Sequence, residues 1–212
     1  MIVQALRRLA DLGVAVSESK LDVRALRKTL GEASSRQLEP LLTMKNGLYA
    51  FGGALHVFSA AGTTSEPGLV QWNDPALWRK DYDGLADGAV FFAEDVFGGQ
   101  FCVLEGVIAA FDPETGEFET IANDLEAWAR LILRDYRVLT GSPLAHDWQA
   151  SHGALRAGQR LLPVQPFVMG GDFEVANLRA HDAVKGMRHR ARVALQMRDM
   201  PDGAALELRV FE

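Results

Sequence analysis

Between Gly88 and Ile121 apolar and turn-forming residues alternate in short blocks (GAVFFAEDVFGGQFCVLEGVIAAFDPETGEFETI). Ala89 to Ala93 is apolar, Glu94-Asp95 and Gly98-Gly99 interrupt the run, and Phe101 to Leu104 resumes it. Val107 to Phe111 follows, then the turn Asp112-Pro113-Glu114-Thr115-Gly116, then Phe118 to Ile121. Pro113 presets φ inside that turn, and Gly116 can adopt the positive φ that closes it. Strands joined by so few residues run antiparallel, because a parallel partner needs a crossover of a dozen or more residues. The pattern therefore predicts a four-stranded meander. Immediately after it Asp124 is placed to cap a helix on which Leu125, Trp128, Ile132 and Tyr136 share one face, suited to packing on the sheet.

Upstream, Ile2, Leu6, Leu9 and Ala10 have helical spacing, and Gly13 stops the run. Asp22 caps a second predicted helix carrying Val23, Leu26 and Leu30, ending at Gly31. Ser34 or Ser35 caps a third through Leu38, Leu41 and Leu42, which requires Pro40 near its start. Asn46-Gly47 reads as a turn, and LYAFGGALHVF as two strands about Gly52-Gly53. Residues 59–87 are the least regular; Asp74 with Pro75 starts a short helix, and Trp72, Trp78 and Tyr82 either cover the core or anchor a partner. Downstream the pattern gives a short helix over Pro143–Gln149, a strand over Arg160–Val164, a turn at Gly170-Gly171-Asp172 and a short helix over Asp182–Met187. It closes with a hairpin in which Val193, Leu195 and Met197 alternate before Pro201-Asp202-Gly203 and Ala204–Phe211. The expected fold is α+β: a twisted antiparallel meander with helices packed on one side and an N-terminal helical lobe. Thr140–Pro143 marks a boundary between a domain over 1–140 and an α+β extension over 141–212 packed on the same sheet.

The 212 residues are 48% hydrophobic and 24% charged, enough for a sizeable core. No stretch approaches the roughly 18 apolar residues of a membrane span. Arg7 and Arg8 interrupt the first apolar run, so it does not read as a signal peptide and the cytoplasm is the expected compartment. Net charge is −6, unevenly spread. Twelve acidic residues and no Lys or Arg lie between Asp81 and Glu126, whereas eight basic and three acidic residues lie between Arg156 and Arg198. This argues against a general nucleic-acid binder, which needs a dominant basic face. Two readings remain: solvated carboxylates at strand ends and turns, or an acidic face that attracts a basic partner.

Catalytic patterns are absent from the sequence. His56, His146, His152, His181 and His189 form no HExxH or other tight ligand spacing, and Cys102 has no second cysteine with which to build a zinc site. The Gly-Gly pairs at 52, 98 and 170 sit where hairpin turns account for them. Glu94 and Asp95 are adjacent on a strand and so point to opposite faces, which does not suit paired acid-base work. No catalytic residue, metal or cofactor is expected, and Cys102 reads as a buried thiol.

Lys45-Asn46-Gly47 with LYAFGGALHVF, FFAEDVFGGQFCV, GVIAAFDPETGEFETIAND and the helix LEAWARLIL together resemble the SUKH superfamily, which includes the SMI1/KNR4 domain, over residues 20–138. That resemblance implies a protein-binding module rather than an enzyme: an immunity-type protein that neutralises a toxin, often a nuclease, or an intracellular interaction scaffold. A nuclease surface is basic, so the acidic run suits it. The candidate partner contacts are Asp83, Asp87, Glu94 and Asp95, with Trp72 and Trp78 as anchors. The alternatives are a scaffold without a toxin, able to form a homodimer through the edge of the terminal hairpin, and a small-ligand binder or enzyme with a pocket near His56 or Cys102.

Overall fold

Helical spacing at the start of the chain gives α1 (Gln4–Leu12), but a strand, β1 (Val14–Ser17), follows before α2 (Val23–Leu30) and α3 (Glu32–Met44). Next come β2 (Asn46–Ala50), β3 (Leu55–Val57), the short α4 (Leu69–Trp72) and the meander strands β4 (Ala89–Asp95), β5 (Gln100–Leu104), β6 (Val107–Phe111) and β7 (Phe118–Ala122). The chain continues through α5 (Leu125–Leu139), α6 (Ser142–His152), β8 (Gln159–Pro163), β9 (Leu178–Asp182) and α7 (Ala183–Arg198). This computed structural model describes residues 3–198. The architecture is α+β. Strands β1 to β7 form one antiparallel sheet in sequence order, and β8 and β9 form a separate antiparallel pair.

Two rows of cross-strand neighbours run the width of the sheet, one on each face. On the first, Ala15, Leu48, Val57, Ala93, Phe101, Ala110 and Glu119 lie in register. Helix α5 covers this face, with Trp128 edge-on to Phe92 and Phe101 at 4.9 and 5.7 Å between ring centroids. On the second, Val14, Tyr49, His56, Glu94, Gln100, Phe111 and Phe118 align. The irregular stretch after β3 covers much of this face with aromatic side chains. Trp72 stacks on Phe58, Trp78 packs on Phe91, and Tyr82 meets Phe111 edge-on and donates to the Pro113 carbonyl. Helices and helical turns therefore meet both faces, because three large rings that the sheet's other face must bury come from this stretch.

Three local readings change. Pro40 lies inside α3 rather than near its start, because α3 begins at Glu32 directly after Gly31, whose φ of 83° lets α2 and α3 abut. Asn46-Gly47 opens β2 instead of turning the chain. Asn46 donates to Ser19 O and accepts from Ala60 N–H, while Gly47, at φ 78°, lies so close to Ser59 that a Cβ would sit 2.6 Å from its backbone nitrogen. The third change is the largest: residues 190–198 continue α7 and are not a strand. Ala183, Gly186, Met187, Arg190, Ala191, Val193 and Ala194 are its buried positions, a helical spacing that outweighs the alternation of Val193, Leu195 and Met197, of which only Val193 is buried. The second half of the expected terminal hairpin lies outside the described residues.

Residues after α5 return to the main sheet. Thr140 O accepts from Val96 N–H, Val96 O accepts from Leu161 N–H at 2.8 Å, and Met187 Sδ lies 3.8 Å from Gln100 Nε2. Among the described residues, no helix is long and apolar enough to cross a membrane.

Candidate functional site

Strand alternation sends Tyr49, His56, Glu94 and Gln100 to the same face, where they are joined by Glu66 from the loop after β3 and Arg160 from β8. His56 Nδ1 is 3.0 Å and Arg160 Nη2 2.8 Å from Glu94 Oε1. His56 Nε2 is 3.5 Å from Glu66 Oε1, and Glu66 Oε2 accepts from the Tyr49 hydroxyl and from Gly158 N–H. Gln100 donates to Glu94 Oε2 and Gly98 O and accepts from the Trp72 indole. Tyr49 stacks on His56 at 4.3 Å, and Arg160 lies over the Tyr49 ring.

Burial alone would raise both glutamates. For Glu94, the Arg160 charge followed by His56 and Gln100 outweighs it; for Glu66, His56 followed by Tyr49 and Arg160 does. Both carboxyls are held below their ordinary range. His56, Glu94 and Arg160 are each only 1% exposed. This network is an internal tie between the sheet and β8.

An open cleft of about 540 Å3 lies at the end of the sheet where β4 finishes, β5 starts, β6 finishes and β7 starts. Its carboxylates are Asp95, Asp112, Glu114 and Glu119, and its single cation is Arg190 from α7. Asp95 Oδ1 accepts from both Phe97 and Gly99 N–H, while Asp95 Oδ2 has no hydrogen-bond donor among the described residues. Burial pushes Asp95 up to about 7. Burial also raises Glu114, although Val168 N–H donates to its Oε2 at 2.9 Å. Arg190 is held by backbone: it donates to Phe97 O at 2.5 Å and to Gly98 O at 3.5 Å, and forms no ion pair with the cleft carboxylates among the described residues. At the mouth Phe167 and Phe173 stack face to face at 3.9 Å, Phe97 stands edge-on to both, and Val138 and Phe173 are 83% and 62% exposed. A larger cleft of about 710 Å3, beside β1 and α3, carries Glu18 and Glu39 against Lys20 and Lys45 and has no aromatic ring, so it offers neither net charge nor an aromatic platform.

Of the six residues singled out in the sequence, only Asp95 lines the charged cleft. Trp72, Trp78 and Glu94 are 0%, 0% and 1% exposed, so within the folded chain they cannot touch a partner: the tryptophans fill the second face and Glu94 pairs with Arg160. Asp83 and Asp87 are exposed on the turns before β4; Asp83 pairs with Arg198 at 3.2 Å, and neither lines the cleft. The acidic run is likewise not one surface. Glu94, Glu114 and Glu126 are buried, and Asp124 caps α5 through Ala127 N–H. The residues missed are Asp112, Glu114, Glu119, Arg190 and the three phenylalanines. Phe97-Gly98-Gly99 and Gly170-Gly171-Asp172-Phe173 put an aromatic beside a glycine pair, a local signal for a ring held on a turn. Cys102 is fully buried, and burial pushes its thiol up to about 12.

No family model matches the chain, and no curated protein matches it. Among solved structures it is similar to the crystal structure of Atu4351 from Agrobacterium tumefaciens, with a TM-score of 0.54 and 14% identity over 88% of this chain and 87% of that one. At that identity the likeness concerns the fold alone.

Proposed function

We propose that this protein is a non-catalytic protein-binding module of immunity type, one that engages and neutralises a basic, nuclease-like toxin. The observation that carries this reading is the open cleft, in which four carboxylates outnumber one cation, Arg190, beside a phenylalanine cluster whose outer ring, Phe173, is exposed at one end of the sheet. Charge of one sign in a concave surface speeds encounter with an oppositely charged partner and disfavours phosphate. Exposed aromatic area supplies the apolar anchor that charge alone does not. The buried network supports a binding role from the other direction: it ties the most strongly interacting ionisable groups into the fold, away from any substrate. The resemblance of residues 20–138 to the SUKH superfamily points the same way.

The test is functional. A basic protein retained by the tagged chain at low salt and released at high salt is expressed in a heterologous host with and without this chain. Growth arrest by the partner alone, relieved by co-expression, is the expected result. A partner that is harmless alone, or one that stays toxic in the presence of this chain, overturns the immunity reading.

A further inference from the structure

We propose that the cleft between the β4–β5 turn, the β6–β7 turn and the Phe167–Phe173 loop seats a cationic side chain of the partner, arginine or lysine, whose apolar sequence neighbour rests on the Phe167–Phe173 stack. The inference rests on the partner-binding reading and names the chemistry of the segment that enters.

Three observations converge on this occupant. The first is charge. Asp95 from β4, Asp112 and Glu114 from the β6–β7 turn and Glu119 from β7 face Arg190 from α7, and these are the charged groups that line the cleft. Arg190 is anchored on the Phe97 and Gly98 carbonyls and makes no ion pair with these carboxylates among the described residues, so its single charge offsets theirs only in part, acting on Asp95 and Glu114. The second is an acceptor without a donor. Both backbone N–H groups that hold Asp95 converge on Oδ1, so Oδ2 is left to accept from something that enters. An ammonium or guanidinium supplies both the donor and the charge, and a charge-assisted bond is about twice as strong as a neutral one.

The third is the platform. Phe173 is 62% exposed and its ring is parallel to Phe167 within 3°. An exposed ring seated on a second, half-buried one beside carboxylates accommodates an apolar side chain together with the methylene stem of a cation. A cleft of about 540 Å3 accepts one or two side chains, not a folded surface, within the roughly 300–1,000 Å3 range of small-ligand sites. An anionic occupant would bring its charge beside the exposed carboxylates of Asp112 and Glu119.

The probe is N-acetyl-phenylalanyl-arginine amide, titrated into the isotopically labelled full chain and followed by amide chemical shifts. Saturable shifts confined to residues 95–101, 110–119 and 167–173 are expected. Binding should weaken at least tenfold in Glu119→Lys and in Phe173→Ala, both exposed positions at which the amide spectrum verifies the fold, and should be unchanged in Asp83→Asn. The glutamyl analogue of the peptide should not bind. Scattered, non-saturating shifts, or equal binding of the glutamyl peptide, would overturn the proposal. A toxin neutralised equally well by wild type and by Glu119→Lys would sink this assignment while leaving the partner-binding reading intact. Absence of any neutralised toxin, with the dipeptide still bound in the cleft, would do the reverse.

Discussion

Glu94 lies beneath the sheet's second face, close to His56, Arg160 and Gln100. Removing its charge leaves Arg160 buried without its nearest counter-ion. Losing one partner of a buried ion pair typically costs about 3–5 kcal/mol. Glu94→Gln should therefore lower stability by roughly that amount in urea titration, and Glu94→Leu with Arg160→Met should cost less than Glu94→Gln alone. The pH dependence has a definite sign. Glu94 and Glu66 are held below their unfolded values, so their contribution is present above the ordinary carboxylate range and is lost as the pH falls through their folded values. Glu94→Gln should flatten that acid limb, and an unchanged limb would mean that the network does not govern it. At this scale the sequence is a poor guide. Glu94 looked like surface because it sits next to Asp95 in a charged run. Its true partner, Arg160, is 66 residues away in sequence and no local pattern announces it. Trp72 and Trp78 were left open between core cover and partner anchor for a related reason: an irregular segment has no period from which to read an inward face.

Helix α1 has no side chain of its own to cap it; the residue before it is Val3. The cap comes from α5, where Glu126 accepts from Ala5 N–H at 2.8 Å and from Leu6 N–H at 3.1 Å. A buried carboxylate at a helix N-terminus satisfies two free donors and favourably opposes the dipole. Glu126→Ala should cost about 1–2 kcal/mol and raise amide exchange in the first turn of α1, whereas Glu126→Gln, which keeps an acceptor, should restore part of the loss. Equal exchange in α1 for all three proteins would contradict this linkage between helices. Elements with a strong local signal were legible in the sequence: the four meander strands, α2 behind Asp22 and α5 behind Asp124. Those that failed had two valid periods. In 190–198 every second residue is apolar, yet the buried set follows the helical spacing, and only packing against β8, β9 and the 79–82 turn decides between them. β1 was missed because four residues carry too little pattern to declare a strand.

Over the whole molecule, the second-face row from Val14 to Phe118 places one residue from each of the seven strands in line, and Arg160 joins it from outside the sheet. The chain after α5 is thus fastened to the meander by a buried ion pair as well as by the Leu161–Val96 backbone bond. Native-state hydrogen exchange should show the Leu161 amide opening with the same free energy as the central amides of β4 and β5. A distinctly lower value would indicate that β8 and β9 open as a separate unit. The α+β class and the order of the meander were readable because each strand pairs with its sequence neighbour. The cleft was not readable, since it draws its walls from four strands, the end of α5, a loop near residue 170 and α7. Asp95 alone was recognised there.

Cys102 faces the interior of the sheet, opposite Phe91 and Ala109, with its thiol suppressed by burial. The chain contains no other cysteine. A cysteine introduced at the cleft mouth, at Val138 or Phe173, would therefore be the one thiol that reacts under native conditions, and a fluorophore or spin label could be attached there without first removing the wild-type cysteine. The molecule comes with a silent background for single-site labelling, and the label would stand where a partner is expected to arrive.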